Sequence, residues 1–333
     1  LATMVDSGLS VVRSLGILAA QVENPALAKV LVEVRLDVEA GSALSVACAK
    51  HPKVFSHLFC TLVQAGEIGG NLDEVLGSLA ETIEKQANLN RTIRSAMTYP
   101  SVVLGVMVII FIALLVFVVP VFKNLFASLG GKLPFPTRVL LRVTSTVMSP
   151  WVFLIILVLV AAIVLFRRWI NTPSGRTKWD RFKLRPPVFG QLFHKVALAR
   201  VTSTLSSLIL SGVPILESLD ICAETAGNRT VGDVLLKAKE GVREGRPLAD
   251  TLRENEPIIP VLVTQMVEVG EQTGALDAML RKVSQFYDIE VASTVDNLTA
   301  LLEPLLTVVM GAGVGTMVIC LYLPMFDYIK LLQ

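Results

Sequence analysis

The chain has 333 residues, is 53% hydrophobic and 17% charged, and carries a formal charge of +2 with a mean hydropathy of +0.64. That balance excludes an ordinary pair of soluble domains, whose charged fraction is about 25%, and places part of the chain in lipid. Four cysteines (Cys48, Cys60, Cys222, Cys320) form no CxxC pair, so free thiols in a reducing compartment are expected, not a disulfide framework.

Leu1 opens directly into an amphipathic pattern with no signal peptide, and the absent initiator Met reads as a trimmed chain. Residues 1–98 read as a first cytoplasmic helical domain. Gly8 stops one helix, Asn24 offers its side-chain oxygen to the free amides opening another, and Gly41 breaks the chain again. A helix over roughly Phe55 to Ala65 must then turn back into one starting near Asn71. Gly66 is expected to take the left-handed conformation that ends the first, and Gly70 to give the sharp approach to the second. Asn71 is placed to cap it and Asp73 to sit in its positive first turn. Leu72, Val75, Leu76, Leu79 and Ile83 then recur at helical spacing.

Three uncharged stretches follow. The first lies between Arg94 and Lys123, and its nineteen residues Ser101 to Val119 rise about 28 Å, close to a hydrocarbon core. The expected spans are 99–122, 143–166 and 304–326, with 123–142 an outer loop and 327–333 a short outer tail. Pro120 and Pro324 are expected to end spans. Orientation follows the basic residues. The segment after the second span, from Arg167 to Pro187, holds seven Lys or Arg against Asp180 alone; the loop 123–142 holds Lys123, Lys132, Arg138 and Arg142. The richer side is read as cytoplasmic, with Trp169 and Trp179 at the inner interface and Trp151 at the outer one. Beside a span, the basic run reads as contact with anionic lipid and not with nucleic acid. Residues 167–302 form this linker and a second cytoplasmic helical domain.

The second domain repeats the first. Gly270-Glu271-Gln272-Thr273-Gly274-Ala275-Leu276-Asp277 matches the turn from Gly66 to Asp73 at an interval of 204 residues (270 − 66). The interval holds without a gap: Gly8 with Gly212, Asn24 with Asn228, Gly41 with Gly245, Pro100 with Pro304, Pro120 with Pro324. Pro214 is placed in the first turn of its helix. Leu1 pairs with Leu205, inside a helix that begins upstream near Phe193, so the first copy lacks its opening residues. Leu276, Met279, Leu280, Val283 and Phe286 repeat the apolar stripe. The unit is therefore a bundle of about six helices plus the span that follows it. It is built twice in parallel, and the second span returns the chain so that both copies face the same side. The fold class is all-α, a polytopic membrane protein.

Glu67 and Glu271 are not required by the turn. Either each accepts amides of the following helix, or the two belong to a partner-binding surface or a cation site; equivalent geometry in both copies is expected in either case. In the third span Gly311 and Gly315 form a GxxxG face that permits close helix packing.

No catalytic, metal or cofactor-binding residue is assigned. There is no GxxxxGK[ST], and Gly130-Gly131-Lys132 lies in the outer loop. His51, His57 and His194 are too few and too scattered for a metal cluster, no GxSxG occurs, and the apolar cores of the spans hold no ionisable group, which disfavours a proton or ion path. A duplicated-domain permease or channel is the rival, and it predicts substrate flux in vesicles containing this chain alone.

The layout resembles the inner-membrane platform proteins of type II secretion systems and type IV pili, the secretion protein F family. The resemblance covers the whole chain. It rests on Ser211-Gly212-Val213-Pro214 with its twin Ser7-Gly8-Leu9-Ser10, on both GExxGxLD turns, and on Tyr99-Pro100. Leu133-Pro134-Phe135-Pro136-Thr137 and Pro187-Val188-Phe189-Gly190 complete the pattern. Departures are the truncated start, Ser10 where the family often has Pro, and Glu303-Pro304 in place of Tyr-Pro. The resemblance implies a non-enzymatic protein of the bacterial inner membrane, with its N-terminal side cytoplasmic and its C-terminus outside. It further implies contact with a hexameric assembly ATPase, with pilins or pseudopilins and with other inner-membrane assembly proteins, and self-association.

Overall fold

A computed structural model describes residues 1–121, 135–147, 149–170, 172–184, 186, 189–256 and 258–331. Phe122, Lys123, the Gly130-Gly131-Lys132 string, Leu133-Pro134 and Pro187-Val188, all invoked above, lie outside the described residues. No strand occurs among the described residues.

The first copy contains α1 (Ala2–Asp6), α2 (Val11–Gln21), α3 (Pro25–Glu39), α4 (Leu44–Ala49), α5 (His57–Gly69) and α6 (Leu72–Ala113). A π-helical turn, Leu114–Val118, extends α6. Then come α7 (Phe135–Val147), α8 (Trp151–Ile170) and α9 (Pro173–Lys183). The second copy contains α10 (Phe189–Leu210), α11 (Ile215–Thr225), α12 (Arg229–Arg243), α13 (Leu248–Arg253), α14 (Val261–Thr273) and α15 (Leu276–Leu331). From α2 to α5, every helix begins and ends 204 residues before its counterpart among α11 to α14, and α15 begins 204 residues after α6.

The breaks are where chemistry requires them. Gly8 and Gly212 have φ of +81° and +77°, and Gly41 and Gly245 have +93° and +85°, a region closed to most side chains. Asn24 accepts from the amides of Ala26 and Leu27, and Asn228 from those of Thr230 and Val231. Pro214 sits one residue outside α11, at its N-cap with extended ψ, and not within its first turn. The helix matched by Leu1 begins at Phe189, four residues before the expected Phe193, because Gly190 lets its start pass close to Leu184: a Cβ there would lie 2.4 Å from the Leu184 carbonyl oxygen.

Two compact units result. One holds residues 1–91 and 177–293, so the two copies fall in one compact unit. Its core includes Leu15, Val34, Leu62 and Leu79 of the first copy with Leu198, Leu219, Leu235 and Leu280 of the second, all fully buried. The stripes on α6 and α15 start half-buried at Leu72 and Leu276 and are buried at Val75, Leu76, Leu79, Leu280 and Val283; beyond them Ile83 and Phe286 are exposed, and Tyr287 turns inward in place of Phe286.

The other unit holds residues 92–176 and 294–333. Among the described residues two helices are long and apolar enough to cross a membrane, Leu72–Val121 and Leu276–Cys320, and a third candidate is the pair Leu157–Ile170 and Gly175–Lys183, bent by 98°. Their apolar side chains are largely uncovered within the chain, as at Ile109, Phe117 and Val308. An uncovered apolar surface of this extent belongs in lipid. The helix expected over 143–166 runs instead from Trp151 to Ile170, with a break at Ser149-Pro150, since Pro150 cannot donate into a continuing helix. Residues 135–147, most of them assigned to a loop, form α7. It packs through Leu140 and Leu141 against Leu115, Val119 and Met317.

Pro324 does not end its helix, which continues to Leu331, whereas Pro120 is followed by one described helical residue, Val121. Each copy accommodates the missing N–H differently. Ahead of Pro120 the helix widens to the π-turn, where the Val119 amide reaches the Leu114 carbonyl. Pro324 leaves the Cys320 carbonyl, four residues earlier, without its helical donor. The Thr137 hydroxyl of α7 donates to that oxygen at 2.6 Å, buried.

Candidate functional site

The duplicated turn is built from two kinds of glycine. Gly70 and Gly274 follow α5 and α14 in the left-handed conformation, with φ of +71° and +72°. Gly66 and Gly270, expected to take that role, lie inside their helices. Their function is close approach. A Cβ on Gly66 would lie 3.1 Å from both the Leu72 Cα and the Val75 Cβ, and one on Gly270 would lie 2.8 Å from the Leu276 Cα. The helix thus runs one turn further than its glycine suggested, and the returning helix packs on bare backbone. Asp73 and Asp277 stand in the first turns of α6 and α15. Asn71 accepts the Val75 amide through its backbone carbonyl, while its side-chain amide donates to Glu74 at 3.4 Å.

Glu67 and Glu271 reach backward along the chain, not into the following helix. Glu67 Oε1 accepts the Leu44 amide, and Oε2 accepts the Ser45 amide at 3.2 Å and the Ser45 hydroxyl. Glu271 Oε1 and Oε2 accept the amides of Leu248 and Ala249 at 2.7 and 3.0 Å. The residues before α4 and α13 are Ala43 and Pro247, which have no side-chain acceptor. A carboxylate from a distant helix therefore supplies the N-terminal cap, with its negative charge at the positive helix end. The geometry is equivalent in both copies.

A polar seam joins the copies within the first unit. Thr82 and Ser207 share a buried 2.6 Å hydrogen bond, Gln86 donates to the Thr204 hydroxyl at 3.5 Å, and Arg200 donates to Asn90 at 3.5 Å. His57 Nδ1 lies 3.0 Å from Glu224 at the exposed edge. The steps 82, 86, 90 on α6 against 207, 204, 200 on α10 are those of two antiparallel helices in contact. Beside the seam lies a cleft of about 440 Å³ bordered by Ser78, Lys85, Ser203, Ser211, Arg281 and Ser284. The sequence signal was present in the hydroxyl run Thr202-Ser203-Thr204 and Ser206-Ser207, all buried.

Among the described residues no group of three or more His, Cys, Asp or Glu could hold a metal. His51 faces Glu33 at 3.6 Å and His194 meets the Ile258 carbonyl. Burial pushes the Cys48 thiol up to about 12 and raises Cys60 and Cys222 as well, so these sulfurs are protonated and poorly nucleophilic near neutral pH. Gly311 and Gly315 face open space within the chain, with no packed helix over them.

The model of the family described as type II secretion system (T2SS), protein F matches residues 1–120 and 201–324, one match on each copy. The type IV pilus assembly protein PilC of Myxococcus xanthus is 43% identical over 332 residues, covering 100% of this chain and 79% of that protein. PilC of Thermus thermophilus is 44% identical over 333 residues, 100% of this chain and 82% of the relative. The type II secretion system protein F of Vibrio cholerae is 33% identical over 333 residues, with the same coverage of 100% and 82%. A duplicated helical body, apolar helices that grow out of each copy, and matches along the full length agree: the chain belongs to the type II secretion system protein F family.

Proposed function

We propose that the chain is an inner-membrane platform of a type IV pilus or type II secretion machine, coupling a cytoplasmic assembly ATPase to polymerisation of pilin-like subunits without catalysing a reaction itself. Three spans, with α8 as the return stroke, keep both copies of the helical bundle in the cytoplasm and put the C-terminus outside. The observation that carries this reading is continuity. Each copy ends in a helix that runs from its core into an apolar segment without a break, Leu72–Val121 and Leu276–Cys320. In this reading each copy is joined to its span by helix and not by loop. The names of the pilus and secretion relatives favour the same role.

The ATPase contact is placed on the turn faces near Glu67 and Glu271. Ile68, beside the first, is 81% exposed, an apolar side chain with no intramolecular use. Self-association through Gly311 and Gly315 completes the platform. The test is copurification from native membranes. An assembly ATPase and pilins should accompany the wild-type chain, and Ile68→Asp should lower ATPase recovery while leaving the melting profile unchanged. Cysteine labelling that put residues 1–98 and 167–302 on opposite faces of the bilayer would overturn the proposal.

A further inference from the structure

We infer that α9 is an interfacial helix whose exposed face binds the headgroups of anionic phospholipids, and that Asp180 fixes it in that pose. The inference rests on α8 being a span. Helix α9 carries four basic residues and one acid. The acid is turned away from solvent: Asp180 is 3% exposed, accepts the Arg229 amide at 3.0 Å and the Lys183 ammonium at 3.1 Å, and receives the Asn228 side-chain amide on its backbone carbonyl. Its negative charge sits on the N-terminus of α12, where it is most favourable. The single carboxylate of the helix is thereby taken up by the α12 N-terminus and by Lys183, which leaves Arg176, Lys178 and Arg181 without it.

What remains outside is basic and aromatic. Arg176, Lys178 and Arg181 are exposed, and no acid among the described residues pairs with them. Phe182 is 55% exposed, stacks on Trp179 at 5.7 Å, and Lys183 lies 5.8 Å from the Trp179 ring centre. Long cations beside aromatic rings match the headgroup layer, where charge meets phosphate and rings enter the acyl boundary. Reach is fixed by the chain. Helix α8 ends at Ile170 and α9 starts at Pro173, so the basic helix begins within about 11 Å of the end of α8. Anionic lipid attracts charge over about one Debye length, close to that tether. Nucleic acid offers phosphate but no acyl boundary for Phe182 and Trp179.

The test uses the full chain with Cys60→Ser and Phe182→Cys, an environment-sensitive fluorophore at position 182, and nanodiscs of phosphatidylcholine with or without phosphatidylglycerol. Emission should shift to the blue when phosphatidylglycerol is present and revert in about 1 M salt, where the Debye length falls to about 3 Å. Lys178→Gln with Arg181→Gln should abolish the shift, whereas Lys237→Gln with Arg243→Gln, the same charge change on α12, should leave it. Equal emission in both lipids, or equal loss in both variants, would overturn the inference. A second fluorophore at position 158 (Val158→Cys) separates the two readings. If it reports hydrocarbon while position 182 ignores phosphatidylglycerol, this inference alone fails; if it reports water in both discs, the span fails with it.

Discussion

At the scale of single residues, the duplicated glutamates bear on stability before they bear on partners. Removing the Glu67 or Glu271 carboxylate leaves two amides at a helix start without their acceptor, and a lost cap costs about 1–2 kcal/mol. Glu67→Ala and Glu271→Ala should each lower stability by that amount in mixed-micelle unfolding, and the Gln variants by less, since an amide oxygen can still accept. The neighbouring glycines should separate by mechanism. Gly270→Ala pushes a methyl to 2.8 Å from the Leu276 backbone and should cost about 1–3 kcal/mol as overpacking. Gly274→Ala meets open space but keeps a left-handed φ, costing about 1–2 kcal/mol as backbone strain. Sequence spacing located this turn and marked its acids. It could not assign them, because the amides they accept lie 23 and 22 residues upstream on another helix, and nothing local encodes that distance.

At the scale of elements, the two proline-bearing helices show one defect with two repairs. The π-turn before Pro120 is internal to its helix, whereas the Cys320 carbonyl depends on a hydroxyl from α7. Thr137→Val removes the donor, keeps the shape and leaves a buried carbonyl unsatisfied, a loss of about 1–3 kcal/mol; Thr137→Ser should recover most of it. Thermal unfolding of the three proteins in detergent checks the order. The prolines were visible in the sequence, and so was the apolar length. That the helix passes through Pro324 was not legible, because propensity treats proline as a stop while packing and a borrowed hydroxyl can override it. Helix α7 was read as loop for a related reason: its Pro136, Thr137 and flanking arginines look like turn chemistry, and its burial depends on partners contributed by distant segments.

At the scale of the molecule, periodicity and the internal repeat were enough for the helical class, the duplication and the breaks at Gly8, Asn24 and Gly41 with their partners Gly212, Asn228 and Gly245. Where the two copies meet was not, since Thr82 and Ser207 are 125 residues apart and unremarkable in isolation. A pair of cysteines at those positions tests the joint. Thr82→Cys with Ser207→Cys should form an intramolecular disulfide on mild oxidation of the full chain, detected by a shift in non-reducing mobility. A Thr82→Cys, Gly245→Cys control should not. Cys48, Cys60 and Cys222 should compete little at pH 8, because burial raises them above their ordinary range, and Cys320 is replaced by Ala in both proteins.

The residue-for-residue congruence of the copies has a further consequence. Backbone shape was duplicated faithfully, but the outward chemistry was not. Leu36 is 51% exposed where the second copy has Glu240 paired with Arg243, Val46 is 56% exposed where it has Asp250 paired with Arg253, and Ile68 stands opposite Gln272. At these three positions the twin contours therefore carry unlike chemistry, apolar in the first copy and polar or charged in the second. A visitor that senses contour alone would settle on either, while one that senses charge would tell left from right and dock the pair in a single polarity.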